Sequence, residues 1–316
     1  MNPLPVLPAH LLSRRGAEQR WLVTSLWSEE AVGVIGGEPK TCKSFLALDL
    51  AVAVATGTPC LRRYSVPRRG RVLLYAAEDA LHIVRHRLEG ICAAAGVAIA
   101  DLDVQVITAA ALRLDLDADR ARLADTISRL QPCLLILDPF VRLHRIDENV
   151  SGEVAPLLTF LRDLQRRHCL AVIIVHHARK SAGNIRAGQA LRGSSEFHAW
   201  GDSNLYLRRD GEELTLTVEH RAAAAMPTVK LELSERGNAL ALQLVERQMP
   251  CIPSTEPASI DERIVTALAG TAQPQPFTEL RKLCRVRTAT LDQRLASLIA
   301  DGRIIKSTNG YLLDVD

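Results

Sequence analysis

The residues able to do chemistry begin at Gly36-Gly37-Glu38-Pro39-Lys40-Thr41-Cys42-Lys43-Ser44. The apolar run Ala31-Val32-Gly33-Val34-Ile35 precedes them, and a second apolar run, residues 45–54, follows. Strand, glycine-led loop and helix is the setting in which backbone N–H groups at a helix start stay unpaired and can cradle a polyphosphate. In that setting Gly37, Glu38, Pro39, Lys40, Thr41 and Cys42 form the cradle. Lys43 reaches the terminal phosphates, and Ser44 holds Mg²⁺ through its hydroxyl. The pattern asks for glycine directly before the lysine, and Cys42 stands there instead. A plain strand–turn–helix corner can also contain Lys-Ser, so the neighbouring strands have to decide.

Three further apolar runs end on polar residues. Val72-Leu73-Leu74-Tyr75-Ala76 leads to Glu78-Asp79, Cys133-Leu134-Leu135-Ile136-Leu137 runs into Asp138-Pro139, and residues 170–175 are tipped by His176-His177. Helices are expected at about 81–95 (stopped by Gly96), 117–130 and 154–168, with a short strand at 104–107. Strands alternating with helices imply an α/β fold with a mostly parallel, doubly wound sheet, whose ligands bind beyond the C-terminal strand ends. Strands near 204–208, 213–220 and 229–233 add an antiparallel edge. Four polar tips at one sheet edge are hard to explain by packing.

Each tip has a role to fill. Asp138 orders Mg²⁺ together with Ser44, where a helix cap is the plainer alternative. Glu78 is placed to orient water as a general base, with Asp79 as the fallback. His177 can hydrogen-bond a γ-phosphate and couple it to the Gly-, Arg- and Lys-rich segment 178–195, expected to be mobile. His176 and His177 point to opposite faces of a strand, so they are poor joint ligands for one metal ion.

At 316 residues, with 47% apolar residues, the chain can build one large α/β domain and a small one. Net charge is only +3, which neither demands nor excludes a nucleic-acid partner. The seven cysteines show no metal-ligand spacing, and Cys92, Cys133 and Cys169 lie in apolar runs, which reads as buried, reduced thiols. No run reaches membrane-spanning length and no apolar signal core opens the chain, so a soluble, cytoplasmic protein is expected. Residues 1–30 read as an arm anchored by Trp21, Leu22, Leu26 and Trp27, on its own core or on a neighbouring subunit. Residues 31–248 form the α/β domain, and 249–258, rich in proline and small residues, a linker. Residues 259–316 are expected to hold three helices (260–269, 277–284, 288–301) and a hairpin turning at Asn309-Gly310, the pattern of a winged helix. Its third helix carries Arg287, Thr288, Thr290, Gln293 and Arg294 on its early turns. Arg281, Lys282, Arg285, Arg303 and Lys306 add positive charge, which favours duplex DNA over a protein partner.

Residues 37–44, the Glu78-Asp79 tip, residues 134–139 and Val175-His176-His177-Ala178-Arg179-Lys180 together resemble the RecA-like P-loop ATPases, most closely the RepA-type hexameric helicases of plasmids and related ATPases of mobile elements. Further shared details are Arg87 after Glu78-Asp79; Arg142, His144, Glu148 and Asn149 after Asp138-Pro139; and Arg192-Gly193-Ser194-Ser195. The resemblance spans roughly residues 20–245. It implies a six-subunit ring with ATP and Mg²⁺ at subunit interfaces, and loops near 142–152 and 180–192 facing single-stranded DNA through Arg142, Lys180, Arg186 and Arg192. Lys43, Ser44, Glu78, Asp138 and His177 match the catalytic set. The arginine acting on a neighbour's nucleotide matches less cleanly, because Asp202 is followed by Ser203-Asn204; Arg208 is the candidate and Arg192 the runner-up. A helicase or replication initiator is one function this implies. A nucleotide-switched DNA-binding regulator and a RecA-type recombination mediator are the others.

Overall fold

The computed structural model describes residues 6–11, 20–177, 196–224, 226–236, 239–245, 260–269, 273–284, 286 and 288–313. Lys180, Arg186, Arg192, Arg287 and the expected linker 249–258 lie outside the described residues. The chain divides into two compact units, Met1–Val245 and Glu246–Asp316.

The first unit opens with a hairpin of β1 (Trp21–Val23) and β2 (Trp27–Ser28), followed by β3 (Val32–Gly37), α1 (Lys43–Thr56), β4 (Val72–Ala76) and α2 (Leu81–Ala95). Next come β5 (Val104–Val106), α3 (Asp117–Leu130), β6 (Leu134–Asp138), α4 (Ser151–His168), β7 (Ala171–His177) and the five-residue α5 (Glu196–Trp200). Strands β8 (Ser203–Asp210), β9 (Glu213–His220), β10 (Val229–Arg236) and β11 (Ala239–Leu244) complete it. All but the opening hairpin join one nine-stranded sheet in the order β11-β10-β9-β8-β3-β7-β6-β4-β5. Pairing is parallel from β8 through β5 and antiparallel from β8 through β11. The expected α/β plan, a mostly parallel sheet with an antiparallel edge, is therefore present, with β11 as an additional edge strand.

Strands buried on both faces read as continuous apolar runs, and β6 and β7 do so because helices cover both sides. One core lies between α1, α2 and the sheet; the other lies between α3, α4, α5 and the opposite face. The arm residues Leu22, Leu26 and Trp27 are buried in the first of these cores. Trp27 is fully buried, and its indole N–H donates to the Ala31 carbonyl at 3.2 Å. At the sheet's other face Trp200 is buried and donates to the Leu158 carbonyl, whereas His198 faces outward and pairs with the Tyr206 hydroxyl at 2.9 Å.

The cysteine reading needs one correction. Cys92 is buried and Cys133 partly so, but Cys169 is exposed, because it caps the C-terminus of α4 in a left-handed conformation rather than continuing β7. All six described cysteines are free thiols. No helix among the described residues is long and apolar enough to cross a membrane.

The second unit holds α6 (Ile260–Ala269), α7 (Phe277–Cys284), α8 (Thr288–Ala300) and a hairpin of β12 (Ile304–Ser307) and β13 (Gly310–Leu313). Its core gathers Ile264, Leu268, Leu280, Leu291, Leu295 and Ile304. The hairpin turns on Thr308-Asn309, one residue earlier than the sequence suggested.

Truncating Trp27 to alanine removes a side chain with no exposed surface and should cost about 3–5 kcal/mol of stability. Urea unfolding of the full chain measures this, and a loss under about 1 kcal/mol would mean the opening hairpin is not part of the core.

Candidate nucleotide site

Strand β3 is the middle strand of the nine-stranded sheet, between β7 and β8. Its last residue, Gly37, sits against both neighbours, paired with His177 and Leu207. A Cβ on Gly37 would fall 2.3 Å from the Leu207 carbonyl oxygen and 2.8 Å from the Thr41 hydroxyl, at a φ of +159°. Only glycine lets the chain turn into the loop there. Lys40 and Cys42 both adopt left-handed backbone, with φ of 66° and 62°. Cys42 thus takes the conformation a glycine normally supplies, and it is the residue that caps the start of α1.

The loop folds around its own lysine. The Lys43 ammonium donates to the Glu38 carbonyl at 2.6 Å, and the Thr41 hydroxyl donates to the same oxygen at 2.8 Å. Burial lowers the Lys43 pKa to about 8, with the Asp138 carboxylate the largest opposing influence. An ammonium so poorly solvated gains most from a polyanion placed beside it.

Asp138, at the tip of β6, is buried and accepts a hydrogen bond from the Ser44 hydroxyl. Burial raises its pKa to about 6, against the lowering effect of that hydrogen bond. Ser44 and Asp138 therefore form an oxygen pair of the hard-cation type, beside the phosphate loop. A loop that glycine alone permits, a buried lysine and this oxygen pair all fit Mg²⁺ with a nucleoside polyphosphate. No group of three or more His, Cys, Asp or Glu residues suited to a metal occurs among the described residues.

A cleft of about 310 Å³ opens here, lined by residues 40–45 together with Glu78, Asp79, Arg87, Asp138 and His177. Glu78, Asp79, Asp138 and His177 thus reach one cavity with the phosphate loop, whereas His176 faces Phe197 and Glu148. His177 is half-buried; burial, then the neighbouring Lys43 charge, lowers its pKa, which favours the neutral imidazole. Its Nδ1 is buried with no hydrogen-bond partner among the described residues.

The two acidic residues after β4 have different partners. Asp79 is ion-paired with Arg87 of α2, whose guanidinium lies over the Phe45 ring at 5.2 Å. Glu78 accepts from Arg142 Nε at 2.8 Å, and Arg142 belongs to the loop after β6. The same loop approaches β7 further on. The imidazoles of His144 and His176 lie 3.2 and 3.8 Å from the Glu148 carboxylate, and His176 stacks on Phe197 at 4.3 Å.

Sequence reasoning missed Arg209. Arg208 and Arg209 are both exposed at the end of β8, and strand alternation puts them on opposite faces. Arg209 is the one at the phosphate loop, its Nη2 3.7 Å from Cys42 Sγ. The signal that could have found it is the β8–β3 register, which no local pattern contains. In the second unit, Gln293 is exposed on α8 and Arg294 pairs with Asp261 at 3.6 Å. Arg281 donates to the Thr288 hydroxyl.

A glycine-led loop, a magnesium-type oxygen pair and acidic residues beside them define a P-loop nucleotide hydrolase. The chain belongs to the AAA domain family, whose model matches residues 2–183, more than half of its length. Among solved structures, a RadB recombinase is similar at 15% identity and a TM-score of 0.49, over 69% of this chain and 92% of its own.

The Asp138 carboxylate is charged at neutral pH at a cost to the fold. Its folded pKa lies above the unfolded value of 3.8, so stability is lost as pH rises from about 4 to 6 and stays lost above that. Asp138→Asn should therefore stabilise the chain by ~1–3 kcal/mol at pH 7.5 while weakening Mg²⁺-dependent nucleotide binding. Chemical unfolding at pH 7.5 and pH 4.5 measures it; the gain should shrink at the lower pH, and equal gains at both would refute the buried-charge explanation.

Proposed function

We propose that the chain is a DNA-dependent ATPase, a ring helicase or replication initiator of the RepA type belonging to a plasmid or mobile element. The observation that carries this reading is the Glu78–Arg142 ion pair. It joins the best-placed general base to the loop that the RepA-type resemblance turns toward DNA. Arg142 is 62% exposed at its side chain, so a phosphodiester backbone can compete for its guanidinium.

In this reading Lys43 and the backbone N–H groups of the loop 37–44, Pro39 excepted, hold the β- and γ-phosphates of ATP, and Ser44 and Asp138 hold Mg²⁺. A divalent cation held by Ser44 and Asp138 would supply positive charge to offset the negative charge that develops on the phosphates. Glu78, released from Arg142, accepts a hydrogen bond from the attacking water and aligns it. His177, whose buried Nδ1 has no hydrogen-bond partner among the described residues, reads the γ-phosphate at the end of β7. Glu148 couples the loop after β6 to that strand through His144 and His176. Arg208 remains the candidate to act on a neighbouring subunit's nucleotide in a hexameric ring. The C-terminal unit acts as a winged helix, with α8 presenting Gln293 and Arg294 to duplex DNA. Lys180, Arg186, Arg192 and Arg287 complete the DNA contacts.

Two substitutions separate the roles. Glu78→Gln should lower ATP turnover by ~10²-fold or more while leaving ATP affinity within a few-fold of wild type. Arg142→Ala should raise DNA-free turnover and remove its stimulation by single-stranded DNA. Phosphate release with and without single-stranded DNA measures both. Unchanged turnover in Glu78→Gln would take the base role from Glu78, and a low, still stimulated rate in Arg142→Ala would break the proposed link to DNA.

A further inference from the structure

The cysteine that interrupts the phosphate-loop pattern has a structural consequence. Strand β8 runs parallel to β3, with Leu207 paired to Gly37, so residues 208–210 continue past the end of β3 alongside the loop. Leu205 and Leu207 are buried in the core on the α1 side of the sheet, and Tyr206 in the core on the other side. Alternation therefore assigns Arg209 to the α1 side and Arg208 to the opposite one. There Arg209 Nη2 meets Cys42 Sγ at 3.7 Å. Glycine at position 42 would present no side chain to meet it.

Arg209 forms no ion pair among the described residues, and a thiol sulfur is a weak acceptor. Nearly all of its five donors remain available at the rim of a loop whose own Lys43 and helix start already favour an anion. A guanidinium matches phosphate geometry in a way an ammonium does not.

We propose that Arg209 binds the phosphates of the nucleotide held by its own chain, and that Cys42 seats it there. This rests on nucleotide binding at the loop and adds to it a second cationic ligand acting in cis, distinct from any arginine offered by a neighbouring subunit.

The test is equilibrium binding of a fluorescent ATP analogue with Mg²⁺ to the full-length protein. It is run at a dilution where its measured mass is that of one chain. Arg209→Ala should weaken binding ~10–100-fold, Arg209→Lys should restore part of it, and the surface control Arg167→Ala should bind as wild type. Arg209 is exposed, so the unfolding midpoint of each variant should match wild type and separate a binding loss from a folding loss. Wild-type affinity in Arg209→Ala would overturn the proposal. So would a loss seen only in associated protein, since that places the arginine in trans. Failure of the wild type itself to bind would remove the nucleotide reading along with it.

Discussion

The site depends on how closely β7 and β8 flank the glycine-bearing strand β3. A Cβ on Gly33 would fall 1.7 Å from the Ser203 carbonyl oxygen, and one on Gly37 would fall 2.3 Å from that of Leu207. Both glycines thus set the spacing of β8 along its length. Asn204 and Asp202 hold the same seam by accepting from the Val34 and Val32 amides, and Arg162 and Arg221 hold Asp202 in turn. With the strands at that spacing, the loop leaving β3 has His177 on one side and Arg209 on the other. Widen the β3–β8 seam and Arg209 no longer reaches the loop.

Within that frame the chain keeps two opposite charges in poor solvent. Lys43 and Asp138 are both buried and both shifted toward their neutral forms, one down to about 8 and the other up to about 6. Each tempers the other's shift, yet for both groups the burial penalty is the larger effect. Such a site gains from a ligand that brings the missing counter-charges together, an anionic polyphosphate for the lysine and a divalent cation for the aspartate. Stability is spent where function requires it. The acidic pair after β4 shows a division of the same kind: Asp79 is fixed to the helix that follows it, while Glu78 reaches across to a different loop.

Much of this was legible in the sequence because buried parallel strands read as apolar runs, and a polar residue ending such a run has one place to go. Gly37, Lys43, Ser44, Glu78, Asp138 and His177 were all visible that way. The helix 81–95 was legible to the residue, since Gly96 takes the left-handed cap that stops it. What escaped depends on contacts distant in sequence. Arg209 approaches the loop only because β8 returns beside β3 in a particular register. The Glu78–Arg142 pair joins residues 64 positions apart. Cys169 looked buried because leucine and alanine follow it, but a helix end needed a left-handed residue there. The opening hairpin read only as apolar anchors, since two- and three-residue strands carry no periodicity.

The function proposed for this edge of the sheet is ATP hydrolysis in response to DNA. Steady-state phosphate release at saturating MgATP, titrated with single-stranded and then duplex DNA at fixed salt, tests it most directly. The account predicts measurable turnover that rises several-fold with single-stranded DNA and loses that stimulation as salt increases. Turnover absent under every condition, or present and indifferent to DNA of either kind, would contradict it.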